Sequence, residues 1–321
     1  MGRGSICRQA WGAGDTPLEA ALHSGDVAIA RMLLEHGADV EKAGGKNAPL
    51  HSAAAGGVTK MCKLLLEHGA EPTRRGAGGW TPLHAAAHSN HLACIKLLLR
   101  STKGEGLEAT ASNGATALLL AVVGGHTEVV EALLQAGASG RIRAAEPRYY
   151  GASAVYLAAQ RGHRLTLQAL LERGDAAADV DTPLTNGQTP LMVASLNDDA
   201  ALIQYLERQG AALEARQEDG MTALMLAAYL DRSKAVRTLL QLGAEKDAQA
   251  THGATALLWA VSAGHAKPVA VLAEAGASCE IGDMEGRTPL SEAQAQRQFD
   301  VLKVLSTCLE RDSKQPQRNE L

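Results

Sequence analysis

Apolar positions along this chain fall into pairs of short helical stripes, and the pair returns nine times. In residues 116–138, Leu118 and Ala121 make one stripe, which stops at Gly125. Val130, Leu133 and Leu134 follow at i, i+3 and i+4, and Gly137 closes the second stripe. This spacing is that of an amphipathic helix with one buried face. Thr116 suits an N-cap, its hydroxyl accepting from an orphan N–H of the first turn. In sister segments Pro17, Pro82, Pro190 and Pro289 follow the cap at N1, where the missing N–H is no loss. Gly125 suits a left-handed C-cap. Neither helix is long enough to be stable alone in water, so each must bury its stripe against a neighbouring pair.

The caps set the period. They stand at Thr16, Ala48, Thr81, Thr116, Ser153, Thr189, Thr222, Thr255 and Thr288, at intervals of 32, 33, 35, 37, 36, 33, 33 and 33 residues. A fixed period near 33 over nearly the whole chain predicts an all-α solenoid in which neighbours share a continuous core. We expect one domain of about nine repeats over 12–309, a short tail over 1–11, and a disordered charged tail over 310–321. Asn90, Asp198, Asp231 and Arg297 stand where other repeats have the glycine between helices, and Asn and Asp tolerate the left-handed turn. Thr102 replaces the glycine that ends a repeat and does not suit it, so the third repeat must end differently. The ninth repeat carries Ser291, Glu292, Gln294, Gln296 and Gln298 where its sisters are mostly apolar, which suits a wettable terminal cap.

The segment Thr81-Pro82-Leu83-His84-Ala85-Ala86-Ala87, with Gly125-His126 and Leu133-Leu134-x-x-Gly137-Ala138, resembles the ankyrin-repeat family. The resemblance spans residues 12–309. It implies stacked helix–turn–helix repeats with projecting β-turn fingers, a concave binding face and a protein partner.

Composition narrows the chemistry. Aromatic residues are only 3% of the chain, with Ala, Leu and Gly in their place, as thin, closely packed helices require. A net charge of −4 leaves no basic footprint for nucleic acid. Five scattered cysteines with no CxxC pair fit reduced thiols in the cytoplasm or nucleus, and Cys62 reads as a small core residue. No apolar stretch reaches membrane-spanning length, and Ile6 stands where a myristoylation signal needs Ser or Thr. The terminal Arg318-Asn319-Glu320-Leu321 is a loose echo of a retention signal, read as coincidence.

No enzyme constellation emerges. The eleven histidines mostly occupy recurring positions, such as His51 and His84 after the cap and His91, His126, His163 and His265 after the turn. No helical His-x-x-x-His pair or zinc spacing occurs, and Ser153 reads as a cap rather than a nucleophile. We therefore expect no cofactor, metal or catalytic residue. The family resemblance places contacts on the finger residues before each cap and on the positions seven and eight residues after it. Mapped onto this chain, these are Trp80 and His88, Tyr149 and Tyr150, Gln160 and Arg161, Leu196, Met221, and Tyr229 and Leu230. The three longer intervals are consecutive, and residues 139–173 hold six arginines against two glutamates, among them Arg141, Arg143 and Arg148. The expectation is a monomeric adaptor whose fifth to seventh repeats grip an acidic segment carrying an apolar anchor. The alternative is an inhibitory or regulatory subunit that masks one dominant enzyme or transcription factor.

Overall fold

A computed structural model describes residues 16–42, 44–45, 47–141, 143, 151–175 and 180–312. Its described residues form eighteen α-helices in nine pairs, one pair per repeat. The first four pairs are α1 (Pro17–Ser24) and α2 (Val27–Glu35), α3 (Pro49–Ala55) and α4 (Thr59–Glu67), α5 (Pro82–His88) and α6 (Leu92–Thr102), and α7 (Ala117–Gly124) and α8 (Thr127–Gln135). The fifth pair is α9 (Ala154–Arg161) and α10 (Arg164–Arg173). Then come α11 (Pro190–Leu196) and α12 (Ala200–Arg208), α13 (Ala223–Tyr229) and α14 (Ser233–Gln241), α15 (Ala256–Ser262) and α16 (Ala266–Glu274), and α17 (Pro289–Ala295) and α18 (Phe299–Asp312).

The anchors cap their helices as their chemistry dictates. The hydroxyls of Thr16, Thr81, Thr116, Thr189, Thr255 and Thr288 each accept from the backbone N–H three residues on. Ala48 has no hydroxyl to offer, and Thr222 makes no such bond. First helices pack on their own second helix and on the first helix of the next repeat within a unit, as α3 does on α4 and α5 and α13 on α14 and α15. Second helices stack likewise, α4 on α6 and α14 on α16. The core between them is Leu, Ile, Val and Ala, with Leu65, Ile95, Leu133, Leu167, Leu239 and Leu272 fully buried. The last first-helix, α17, buries only Pro289 and Ala293, where α5 and α13 bury six residues each. Its wettable face follows from the glutamines and glutamate read in the sequence.

Asn90, Asp198, Asp231 and Arg297 all take positive φ, between 54° and 63°, in the turn between helices. Thr102 does not: α6 runs through it to eleven residues, and Lys103 takes the left-handed position (φ 51°), followed by Gly104. The longer connection of the third repeat is thus spent partly as extra helix.

Fingers project between repeats as tight turns closed by i→i+4 backbone bonds, such as Gln217 N–H to Met221 O and Ala250 N–H to Ala254 O. Neighbouring fingers are also joined backbone to backbone: Ser112 N–H to Gly78 O, Glu218 to Asn186, Thr251 to Asp219 and Met284 to His252. Glycine is required where one finger meets the next. At Gly220 (φ 78°) a Cβ would lie 2.6 Å from the Thr251 backbone nitrogen. Carboxylates add a second ladder, each accepting from a backbone N–H about one repeat later: Glu41 from Glu71, Glu108 from Ser139, Asp181 from Ala212, Glu214 from Glu245 and Asp247 from Ser278.

Two compact units divide within the fifth repeat. One takes residues up to 154 with 165–176, and the other takes 155–164 with everything from 177.

Candidate functional site

The positions seven and eight residues after a cap fall where the first helix ends. His88, Leu196 and Tyr229 are the last residues of α5, α11 and α13, and Ser89, Asn197 and Leu230 are their C-caps. The left-handed residue that follows turns the chain away, so these side chains stand at a helix end with little backbone over them.

In the first unit this geometry builds a groove between α3 and α5. It has a volume of about 360 Å³ and is lined by Asn47, His51, Ser52, Trp80, His88 and Ser89, among others. The Trp80 ring meets His88 edge to face, centroids 5.3 Å apart, and lies 6.4 Å from His84. The Trp80 carbonyl accepts from Gly76 N–H at 2.7 Å and meets His51 Nε2 at 3.0 Å. Asn47 Oδ1 accepts from Ala77 N–H. A Cβ on Gly76 would lie 2.4 Å from that Oδ1, so a larger residue there would displace the Asn47 side chain from Ala77.

The histidines beneath the groove are scaffold. His84 Nδ1 accepts from Thr81 N–H at 3.2 Å and faces Thr81 Oγ1 at 2.7 Å. The proton must therefore sit on Nε2, which meets the Ala115 carbonyl at 3.1 Å. Burial holds both His51 and His84 below the ordinary histidine range. His51 repeats the Nε2 contact, but Ala48 stands where Thr81 would be, and His51 Nδ1 is buried with no hydrogen-bond partner. His91 and His126 reach back to the carbonyls of Ala55 and His88 in the preceding repeat. Their rings occupy the space that a Cβ on Gly57 or Gly124 would need.

In the second unit the same register exposes an apolar patch. Tyr229 and Leu230 are 42% and 41% exposed, adjacent in sequence and both large. Tyr229 meets Trp259 of α15 edge to face, centroids 5.5 Å apart at 78°. Leu196 is half-buried and Asn197 exposed, its Nδ2 tied to the carbonyls of Ala159 and Gln160. Gln160 and Arg161 are exposed at the end of α9. Trp259 escaped the sequence reading. It lies four residues after its cap, a position aromatic in no other repeat, and its meeting with Tyr229 depends on the packing of α13 against α15.

Met221 needs correcting. It is 5% exposed, because the residue between finger and cap turns inward as the finger closes, and it offers no surface to a partner. Arg141 and Arg143 are exposed in the first unit, Arg141 donating from Nε to the Asp175 carbonyl. They belong to a different unit from Gln160 and Arg161. Arg148, Tyr149 and Tyr150 lie outside the described residues. Of the other arginines in the basic stretch, Arg164 pairs with Asp199 at 2.8 Å and Arg173 with Glu131 at 3.3 Å. Much of the local positive charge is therefore neutralised.

Among the described residues no cluster of three or more His, Cys, Asp or Glu could hold a metal ion. Among them, too, no helix is long and apolar enough to cross a membrane. The expectation of reduced thiols fails at Cys279, which is disulfide-bonded, while Cys62 and Cys94 are free and buried.

Family comparisons agree with this architecture. A three-copy ankyrin-repeat model matches residues 101–182 and 155–250, a multi-copy model matches 50–99, and a single-repeat model matches 13–44. Among curated proteins, ankyrin repeat and SOCS box protein 3 from Bos taurus and from Homo sapiens are each 38% identical over 61 residues. That stretch is 19% of this chain and 12% of each relative, so the chain spans only a small part of their length. With nine helix pairs at the predicted period, linked fingers and family matches along most of its length, the chain belongs to the ankyrin-repeat family, a family of protein–protein interaction modules.

Proposed function

We propose that this chain is a non-catalytic adaptor that holds a segment of a partner protein on the first-helix ends of its fifth to eighth repeats. The observation that carries this reading is the exposed pair Tyr229 and Leu230, backed by the Trp259 ring. Large apolar side chains held rigidly at a surface are what the buried centre of an interface is made from. Leu196 extends the patch along α11, and Arg161 at the end of α9 supplies a bidentate donor for a carboxylate on the partner. The partner segment on this reading carries an aromatic or aliphatic anchor and an acidic residue.

The test is a double variant, Tyr229→Ser/Leu230→Ser, compared with the intact chain by quantitative co-purification from cell extract. Both positions are more than two-fifths exposed, so the melting temperature should stay nearly unchanged. Loss of the co-purifying partner with an unchanged melt supports the proposal; a folded variant that retains the same partners rejects it. An inhibitory subunit would use the same surface. Adding the purified chain to its partner separates the two roles, since an inhibitor abolishes the partner's activity at one equivalent and an adaptor leaves it intact.

A further inference from the structure

One buried pair of cysteines lies outside the interaction surface. Cys62 on α4 and Cys94 on α6 are both fully buried, and their sulfurs stand 3.8 Å apart. The two helices belong to successive repeats and pack against each other. Cys62 lies fourteen residues after its cap and Cys94 thirteen after its own, and these two positions face each other across the stack. Thr59 Oγ1 lies 3.5 Å from Cys94 Sγ. Around them are Met61, Leu65, Ile95 and Leu98, so the pair sits in an apolar wall with one hydroxyl beside it.

This arrangement has a direction. Cys62 donates its S–H toward Cys94, and that bond favours a thiolate on Cys94, with the Thr59 hydroxyl adding to it. The same bond pushes the Cys62 thiol up. A disulfide needs its sulfurs at ~2.05 Å, so closing the gap shortens the present separation by about 1.8 Å.

We propose that Cys62 and Cys94 are a paired redox site that closes to a reversible disulfide between the second and third repeats, with Cys94 as the attacking sulfur and Cys62 as the resolving one. With hydrogen peroxide as oxidant, the Cys94 thiolate attacks one peroxide oxygen. The O–O bond breaks, leaving a sulfenic acid on Cys94 and a hydroxide that takes up the proton Cys94 had lost. The Cys62 sulfur then displaces the sulfenic hydroxyl, which leaves with the Cys62 proton as water. Two thiols and one peroxide become one disulfide and two waters. Peroxide is small and neutral, so it reaches the pair through local opening of the α4–α6 contact without global unfolding.

The experiment treats the folded full-length chain with hydrogen peroxide, blocks remaining thiols under denaturing conditions and maps peptides by mass spectrometry. The expected result is a linked Cys62–Cys94 peptide, with equal loss of free thiol at both positions and recovery of both by dithiothreitol. In Cys62→Ser, dimedone should trap a sulfenic acid at Cys94; in Cys94→Ser, it should trap none at Cys62. The proposal is overturned if both cysteines are recovered as free thiols, or if they are oxidised separately to sulfinic acid without a linked peptide. It is overturned as well if the trapping pattern is reversed. The wild-type map does not depend on whether either variant folds.

Discussion

At the scale of single residues, much of this molecule is explained by which hydroxyl meets which ring. Thr81 and His84 form a closed set, with cap hydroxyl, cap N–H and imidazole each satisfied. One repeat earlier the set is open: Ala48 cannot cap α3, and His51 Nδ1 is buried without a partner. Ala48→Thr should close it, since the backbone there is already extended (φ −64°, ψ 158°). We expect a gain of about 1 kcal/mol, read as a shift in denaturant midpoint with unchanged slope. His84 also fixes a pH dependence. Its folded pKa is depressed by burial, so the folded chain prefers the neutral ring, and protonation would set an N–H against the Thr81 N–H. The stability due to this neutral ring is complete above the unfolded value, about 6.5, and is lost as pH falls from there towards the folded value. The melting temperature should therefore drop between pH 7.5 and 5.5, and His84→Gln should make that drop smaller, leaving the share of His51. The cap threonines and the motif histidines were legible in the sequence. That Thr222 would leave its hydroxyl unused was not, because a cap bond depends on a rotamer that no spacing encodes.

At the scale of elements, turns decide where helices stop. The sequence could say that Asn90, Asp198 and Asp231 would accept a left-handed turn, because their side chains tolerate it. It could say that Thr102 would not, but not that the helix would run through it and use Lys103. That choice depended on how much chain the third connection had to spare. Arg297 takes the same turn without the excuse of a short polar side chain. Arg297→Gly should stabilise the chain by about 1 kcal/mol. The fingers give the opposite case. Gly220→Ala combines a left-handed alanine with a Cβ 2.6 Å from the next finger's backbone, and should lose about 2 kcal/mol or more. Parallel thermal melts of the two variants check both signs at once.

At the scale of the whole molecule, the period was the most legible property, since one helix pair follows each of the nine anchor positions. The division into two units within the fifth repeat was not legible, although the longest intervals lie around it. The candidate surface was read in part. Tyr229, Leu230 and Leu196 follow from register alone, because the residue seven or eight places after a cap ends a helix. Met221 departs from the pattern because its side chain turns inward as the finger closes. Trp259 was invisible because its role comes from a neighbour thirty residues away.

In the proposed complex a partner segment lies on Tyr229, Leu230 and Trp259. The most direct measurement is hydroxyl-radical footprinting of the full chain, alone and in the complex it forms with the partner that co-purifies with it. Oxidation of Tyr229, Leu230 and Trp259 should fall several-fold in the complex, while Phe299 and Met284, large and more exposed, stay reactive. If the Tyr229–Leu230–Trp259 patch remains as reactive in the complex as in the free chain, the partner binds elsewhere and the assignment is wrong.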